Sequence, residues 1–477
     1  MNRPVDLLVI GGGTAGIVAA KTAATLGARV GLVEADRPGG DCLWRGCVPS
    51  KTLIEIASRT GAFLGDMRSG GPAVFDQVRA AIAAIAPIDS PEALAAAGVQ
   101  VMSGHAEFVG PDVVAVGDST IGFRRAVLAT GSAPAIPDAV ALGADALMTR
   151  GIDLMTTDTV WDRTDIPSTL VVLGGGAIGC ELGQAFARLG TQVTLVEPRP
   201  QLLTGFDSRA AQLVTAALHA DGVRVLTDHR VVGFDGDTPA SPRLMLTSSQ
   251  ATTSLEARHV LVAAGRTPRT SGIGLDRAGI DCNAVGFVTV DATLRTTNPR
   301  VWAAGDLTGH PALTHVAGSH ASTAATNAVL GLRRRAATLI PRVVFTDPEV
   351  AAVGECDVRA RGGLRALTVP HHDVDRAVTA ARTDGFSTIV VDRRHRIVGA
   401  LVVGPRAGET IGELALAVST RCTTADLAAT MHPYPTYNDG PWNAAVADVR
   451  GRLSTPAVAS ALRAVVAIRA RSGRRGR

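Results

Sequence analysis

The chain has 477 residues, 46% of them hydrophobic and 19% charged, with 52 glycines and a formal charge of +4; this is the profile of folded α/β protein in about three domains, not of a disordered chain. So small a net charge, with one dense basic run at 469–477, excludes the concentrated basic face of a nucleic-acid binder, and that run reads as a frayed, solvated tail. No uninterrupted apolar stretch reaches the 18 residues or so of a membrane span, and six cysteines without a disulfide framework fit a reducing, cytoplasmic setting.

Residues 7–10 are a short apolar run of buried-strand type. Asp6 interrupts it on one side and glycines follow where a leader would be cleaved, so the start reads as a strand. Gly11-Gly-Gly13-Thr-Ala-Gly16 comes next, then an alanine-rich segment to Leu26, a second strand at 29–33 and Glu34. In such a unit Gly11 makes the tight turn, Gly13 lets the backbone reach a pyrophosphate, Gly16 lets the helix pack on the sheet, and Glu34 accepts a ribose hydroxyl. The same register recurs 163 residues later in residues 170–173, Gly174-Gly-Gly176-Ala-Ile-Gly179 and Glu197, with 23 residues from first glycine to glutamate in both copies. This repeat predicts two dinucleotide sites on a duplicated fold.

Five residues after Glu34, with no counterpart after Glu197, stands Gly39-Gly-Asp-Cys42-Leu-Trp-Arg-Gly46-Cys47-Val-Pro49-Ser-Lys51. Pro49 suits a first helical turn that residues 52–58 continue. Both sulfurs are then expected near a helix N-terminus, whose partial positive charge favours a thiolate. Lys51 adds to the effect, and only Lys21 accompanies it among the 47 basic residues. A zinc site needs four ligands, and no second Cys or His pair follows at finger spacing, so a redox pair is expected and a metal site is not.

Residues 126–132 read as a strand running into the turn Thr130-Gly131-Ser132, and 260–264 repeat that design into Gly265-Arg-Thr-Pro268. A third strand-to-glycine turn ends at Asp306. Beyond Ala336 the composition changes to antiparallel strands from 342, at 385–391 and at 397–403, then helices at 409–419 and 424–429. No phosphate loop occurs there, so this part is expected to serve packing and association.

Taken together in this order, the cysteine stretch, the two glycine units, Ala129-Thr-Gly131, Gly265-Arg-Thr-Pro268 and Ala303-Ala-Gly-Asp306 resemble the flavoprotein disulfide reductases. This class I pyridine nucleotide-disulfide oxidoreductase family includes lipoamide dehydrogenase, glutathione reductase and mercuric reductase. The resemblance implies an α/β chain with two Rossmann-like dinucleotide-binding domains and a C-terminal α+β dimerisation domain. It divides the chain into 1–148 with 270–336 for FAD, 149–269 for NAD(P), 340–460 for dimerisation, and a basic tail at 461–477. It implies FAD at Gly11, Gly13, Gly16, Glu34, Lys51, Ala106, Thr130, Gly131, Ser132 and Asp306. A nicotinamide cofactor would lie at Gly174, Gly176, Gly179, Glu197 and Gly265, and the partner would be a second copy of the chain. Glu197 would favour NADH by repelling a 2′-phosphate, although Arg199 nearby can accept one. On the same resemblance Lys51 pairs with Glu181, Cys47 is the thiolate against the flavin, and Cys42 exchanges with substrate.

The chain then departs from its best-known relatives. Lipoamide dehydrogenase and glutathione reductase carry a histidine before Pro-Thr and a glutamate five residues on, which protonate and deprotonate thiol leaving groups. Here Met431-His432-Pro433-Tyr434-Pro435-Thr436-Tyr437-Asn438-Asp439 places Tyr434 and Asp439 at those positions. Tyrosine titrates near ~10, whereas a tuned base contributes about 10²–10⁴ in rate. His432 is the substitute candidate. Tyrosine here resembles mercuric reductase, where a thiolate-held metal needs no protonated leaving group, but the tail cysteine pair and the N-terminal metal-carrier domain found there are absent. The expectation is an NAD(P)H-dependent flavoenzyme reducing a soft metal ion or a non-standard disulfide. Dihydrolipoamide dehydrogenase with altered acid–base residues and a redox-sensing flavoprotein are the other two readings.

Overall fold

β1 (Val5–Ile10) is buried on both faces in the computed structural model, which describes residues 5–60, 71–235, 241–359 and 362–472. Leu7 and Val9 enter one core and Leu8 and Ile10 another, as the two-residue period of a strand requires. β1 pairs in parallel with β2 (Val30–Glu34) on one side and with β6 (Ser119–Leu128) on the other. β3 (Val99–Ser103) extends the sheet beyond β2, and the strand Val301–Ala303 also pairs with β6. β4 (Ala106–Gly110) and β5 (Val113–Val116) fold back antiparallel on the first half of β6. Chain direction across the sheet reverses at β1, so the glycine loop that follows β1 opens at the crevice where open α/β sheets bind ligands.

α1 (Thr14–Thr25) and the helix Thr314–Leu330 pack together over Leu7 and Val9 through small side chains. Ala15, Ala19, Ala20 and Ala23 of the first share a core with Ala317, Ala321, Ala324, Ala325 and Ala328 of the second. Alanine faces let two helices approach closely, here with Thr14 and Thr314 each the first residue of its helix.

A second sheet repeats the plan in the order Arg224–Leu226, Gln192–Val196, Thr169–Leu173, His259–Val262, Asp153–Thr156, all parallel. Its second glycine loop likewise follows the strand where the order reverses. Both sheets fall in one compact unit, Met1–Leu202 with Leu218–Thr338.

The other unit comprises Leu203–Ala217 and Leu339–Arg477. Its five strands are all antiparallel, in the order Arg342–Val344, Glu349–Gly354, Ile397–Gly404, Phe386–Val391, Arg365–Pro370. Segment 203–217 belongs to this unit through Arg342 over Phe206 and Arg209 over Phe386. Helices Ala407–Ser419 and Thr424–Ala429 cover the sheet. Two further helices follow, Asp439–Leu453 and Pro456–Ser472, and they correct the expectation of a frayed tail as far as Ser472. Alanine, the best helix former, recurs through 457–470 and outweighs the charge of the arginines. Residues 473–477 lie outside the described part. Among the described residues no single helix is long and apolar enough to cross a membrane.

The alanine interface sets a prediction. Ala321 is fully buried, so Ala321→Leu forces the two helices apart and lowers stability by about 1–3 kcal/mol, read as a fall in the urea midpoint at unchanged slope.

Candidate active site

The cysteine stretch begins on the first glycine loop. Gly39 and Gly40 both have positive φ, at 110° and 60°, and the Gly39 N–H donates to the Gly12 carbonyl at 2.9 Å. A Cβ on Gly40 would lie 2.5 Å from the Gly13 Cα, a separation that requires glycine at position 40. The stretch then forms two helices where the sequence suggests one, α2 (Gly40–Trp44) and α3 (Cys47–Thr60). At the junction a Cβ on Gly46 would lie 2.9 Å from the Asp41 carbonyl oxygen. Cys47 therefore opens α3, while Cys42 sits inside the five-residue α2. Only Cys47 has the N-terminus of a long helix. The junction is held by Trp44, whose indole donates to the Pro38 carbonyl at 2.8 Å beneath the Arg37 guanidinium, and by the Arg45 carbonyl, which accepts the Trp161 indole at 2.7 Å.

Cys42 and Cys47 are free, half-buried thiols that share a hydrogen bond, and their environments drive them apart. The bond from Cys42, the Thr314 hydroxyl and the charge of Lys51 outweigh burial and the charge of Glu181, and bring the Cys47 thiol down to about 6. The Thr314 Oγ1 lies 3.2 Å from the Cys47 sulfur. Cys42 is pushed up, first by donating to Cys47 and then by burial, against hydroxyls from Thr314 and Thr14. At neutral pH the pair thus holds one thiolate at Cys47 and one proton at Cys42. The alanine contact between α1 and Thr314–Leu330 delivers both hydroxyls.

The structure brings Lys51 and Glu181 together across 130 residues, with Nζ donating to Oε2 at 2.7 Å. Glu181 is buried in the helix Ala177–Arg188 that follows the second glycine loop, so this ion pair ties the cysteine helix to the second dinucleotide unit.

A second charge lattice contains residues the sequence reading left unassigned. β7 (Ser132–Pro134) pairs antiparallel with Arg266–Pro268, and there Ser132 Oγ donates to Asp306 Oδ2 at 2.7 Å. Arg266 donates Nε to Ser132 Oγ at 2.6 Å and also donates Nη2 to Asp41, the neighbour of Cys42. Arg269 spans Asp41 and Asp158, each at 3.4 Å, and Arg45 reaches Asp158 at 3.6 Å. Burial and the charge of Asp41 raise the Asp158 carboxyl. Gly265-Arg-Thr-Pro268 and Gly40-Asp-Cys42 put these residues in plain sight, but no sequence spacing pairs positions 225 residues apart.

Both glycine loops close in the same way. Glu34 accepts the Gly12 N–H and, at 2.9 Å, the Asp36 N–H; Glu197 accepts the Gly175 N–H at 2.7 Å and the Arg199 N–H at 2.9 Å. A Cβ on Gly11 or Gly174 would stand 2.4 Å from a carbonyl oxygen of the next strand's end, Ala129 or Ala263, and on Gly16 or Gly179 within 2 Å of the loop's own first carbonyl. Gly176 differs: a Cβ there would meet nothing in the chain. Packing does not explain that glycine, and close approach of a ligand's pyrophosphate does. The residues present therefore fit dinucleotides at both loops. Of the other candidates, Thr130 donates Oγ1 to the Arg269 carbonyl at 2.6 Å, Gly131 and Gly265 have positive φ, and Ala106 opens β4.

In the C-terminal unit, segment 431–439 is bonded to its own surroundings. Tyr434, 72% exposed, donates its hydroxyl to Asp375 Oδ2 at 2.6 Å. That bond and the charge of Asp375 raise the phenol above its ordinary value. His432 meets an oxygen acceptor at each ring nitrogen, Thr430 carbonyl at 3.0 Å on Nδ1 and Glu413 Oε1 at 2.7 Å on Nε2. Asp439 accepts the Thr436 N–H at 3.1 Å and bonds neither Tyr434 nor His432. The structure does not join the three into one acid–base group within a chain. Glu413, held also by Asn438 at 2.7 Å, was not foreseen, since it lies 19 residues before its partner.

Residues 5–321 match the family model described as pyridine nucleotide-disulphide oxidoreductase, and residues 340–445 match that family's dimerisation domain. The chain belongs to the pyridine nucleotide-disulphide oxidoreductases. It is 34% identical to a dihydrolipoyl dehydrogenase of Thermus scotoductus over 470 residues, covering 93% of this chain and 97% of that one. It is also 34% identical to a mercuric reductase of Acidithiobacillus ferrooxidans over 464 residues, covering 92% and 82%. A solved Cu(II) complex of the HOCl-induced flavoprotein disulfide reductase RclA from Escherichia coli superposes with a TM-score of 0.80 at 25% identity, covering 92% of this chain and 98% of that one. The chain is thus an oxidoreductase of the flavoprotein disulfide reductase type, in a family that works with FAD and NAD(P)H, and its dimerisation domain supports a homodimer.

Thiol titration tests the electrostatics. In the reduced protein the Cys47 sulfur should react with iodoacetamide with a midpoint near pH 6, the thiolate being lost as pH falls through about 6. Thr314→Ala removes a donor to that thiolate, moves the midpoint upward, and slows alkylation at pH 6 about tenfold, the value of a charge-assisted hydrogen bond. Trypsin cleaves at Arg45, between the two cysteines, so mass spectrometry assigns the label.

Proposed function

We propose that this chain is an NADH-dependent flavoenzyme that passes electrons through a Cys42–Cys47 disulfide to a soft metal ion, mercuric or cupric, with non-standard disulfides as the neighbouring substrate class. The observation that carries this reading is Tyr434. A phenol tied to Asp375, with its pKa raised further, is a poor proton carrier at neutral pH. Both nitrogens of His432 are turned to protein acceptors. Thiol–disulfide exchange with lipoamide or glutathione needs a group that gives and takes protons, whereas thiolates ligate a soft cation and release protons as they do so.

Gly11, Gly13, Gly16, Glu34 and Asp306 would hold FAD, which would supply hydride acceptance and transfer of the electron pair. The chain's own residues prepare the thiols. Lys51, Thr314 and the N-terminus of α3 hold charge on Cys47, and Cys42 keeps its proton until a substrate displaces it. Arg266 and Arg269 fix Asp41 and so the position of Cys42. Glu197 meets a ribose 2′-hydroxyl as an acceptor and repels a 2′-phosphate, which supports NADH. One nicotinamide supplies two electrons, enough for one mercuric or two cupric ions. The Cu(II) complex of the Escherichia coli relative lends support to a metal substrate.

Steady-state oxidation of NADH and NADPH, measured side by side with mercuric ion, cupric ion, lipoamide and low-molecular-weight disulfides, tests the reading. We expect metal-dependent NADH oxidation that Cys42→Ser abolishes, with a higher kcat/KM for NADH than for NADPH. Lipoamide turnover equal to or faster than metal turnover would overturn it in favour of a dihydrolipoamide dehydrogenase. No steady turnover with any acceptor would favour a redox sensor.

A further inference from the structure

The helix Pro456–Ser472 begins eleven residues beyond the end of the dimerisation-domain match at 445 and turns by 77° from the helix before it. From Pro456 to Ala470 every residue but Ala459 is exposed. Val458, Leu462, Val465 and Val466, exposed by 40 to 68%, follow the i, i+4, i+7, i+8 spacing of a single helical face. Ala461 lies on the same face. Arg463 points to the other side, where it bonds Ser460 Oγ at 3.1 Å. A contiguous exposed apolar face of this kind marks a surface for association.

We propose that this face packs against a second copy of the chain and extends the dimer interface past the dimerisation domain. Two features of the helix choose that occupant. The helix belongs to the same unit as the domain whose family role is dimerisation, so its face is continuous with the part of the chain that meets a partner copy. Its composition also suits a protein surface: alanines at 457, 459, 461, 464, 467 and 470 let another helix approach to about 8–10 Å. The aromatic and lysine residues by which an interfacial helix grips a lipid surface do not occur in 456–472. The proposal rests on the homodimer and is independent of the substrate reading.

Sedimentation velocity over a dilution series, with FAD-loaded protein, provides the test. Three forms are compared: the full chain, a chain ending at Thr455, and Leu462→Glu with Val465→Glu. The truncated and charged forms should raise the dimer Kd about a hundredfold, two tenfold losses, with the ratio of flavin to protein absorbance unchanged. Equal Kd values for all three forms would overturn the proposal. So would co-sedimentation of the full chain with phosphatidylserine vesicles that the charged form does not show, since that assigns the face to lipid. A full chain that is monomeric throughout would contradict the homodimer and this interface together, while leaving the metal-reductase reading to its own assay.

Discussion

Two glycines in contact set the geometry of this molecule. Gly40 meets the backbone of Gly13 at a distance that excludes a side chain at position 40, so the first glycine loop and the segment that carries the thiols are packed directly together. From that contact follow the short α2, the break at Gly46, and the position of Cys47 at the head of α3. The alanine-packed helices then supply hydroxyls to the thiols from the opposite side. Burial alone would raise the Cys47 thiol; the Cys42 proton, the Thr314 hydroxyl and Lys51 together outweigh it.

Much of this was legible in the chain itself. A strand, a glycine turn, a helix and a glutamate in identical register, twice, carry the fold because each residue type answers a separate steric or hydrogen-bonding need; Glu34 and Glu197, expected as ribose acceptors, also close their own loops with matching bonds. Lys51 and Glu181 meet as the family resemblance implied. What could not be read were pairings with no periodic signature. Arg266 on Asp41, Thr314 on Cys47 and Glu413 on His432 join positions far apart in sequence, and only the tertiary fold fixes them. The terminal helix was misread for a different reason: its arginines suggested a solvated tail, while its alanines carried the stronger helical preference.

The proposed substrate class turns on Tyr434 and His432. Tyr434 and His432 are each engaged by a carboxylate, Asp375 and Glu413. On the proposed reading, the Cys42–Cys47 pair holds a prepared thiolate and proton, and neither Tyr434 nor His432 serves to carry protons to and from a leaving group. Such a site suits acceptors that bind sulfur directly and accept electrons without proton transfer.

Anaerobic mixing of the FAD-loaded enzyme with dihydrolipoamide, followed by flavin absorbance, tests this most directly, because it asks whether a dithiol can feed the Cys42–Cys47 pair without the missing base. The account predicts reduction slower than that by NADH by a factor of about 10²–10⁴, the usual worth of general acid–base catalysis. Reduction by dihydrolipoamide as fast as by NADH would contradict it.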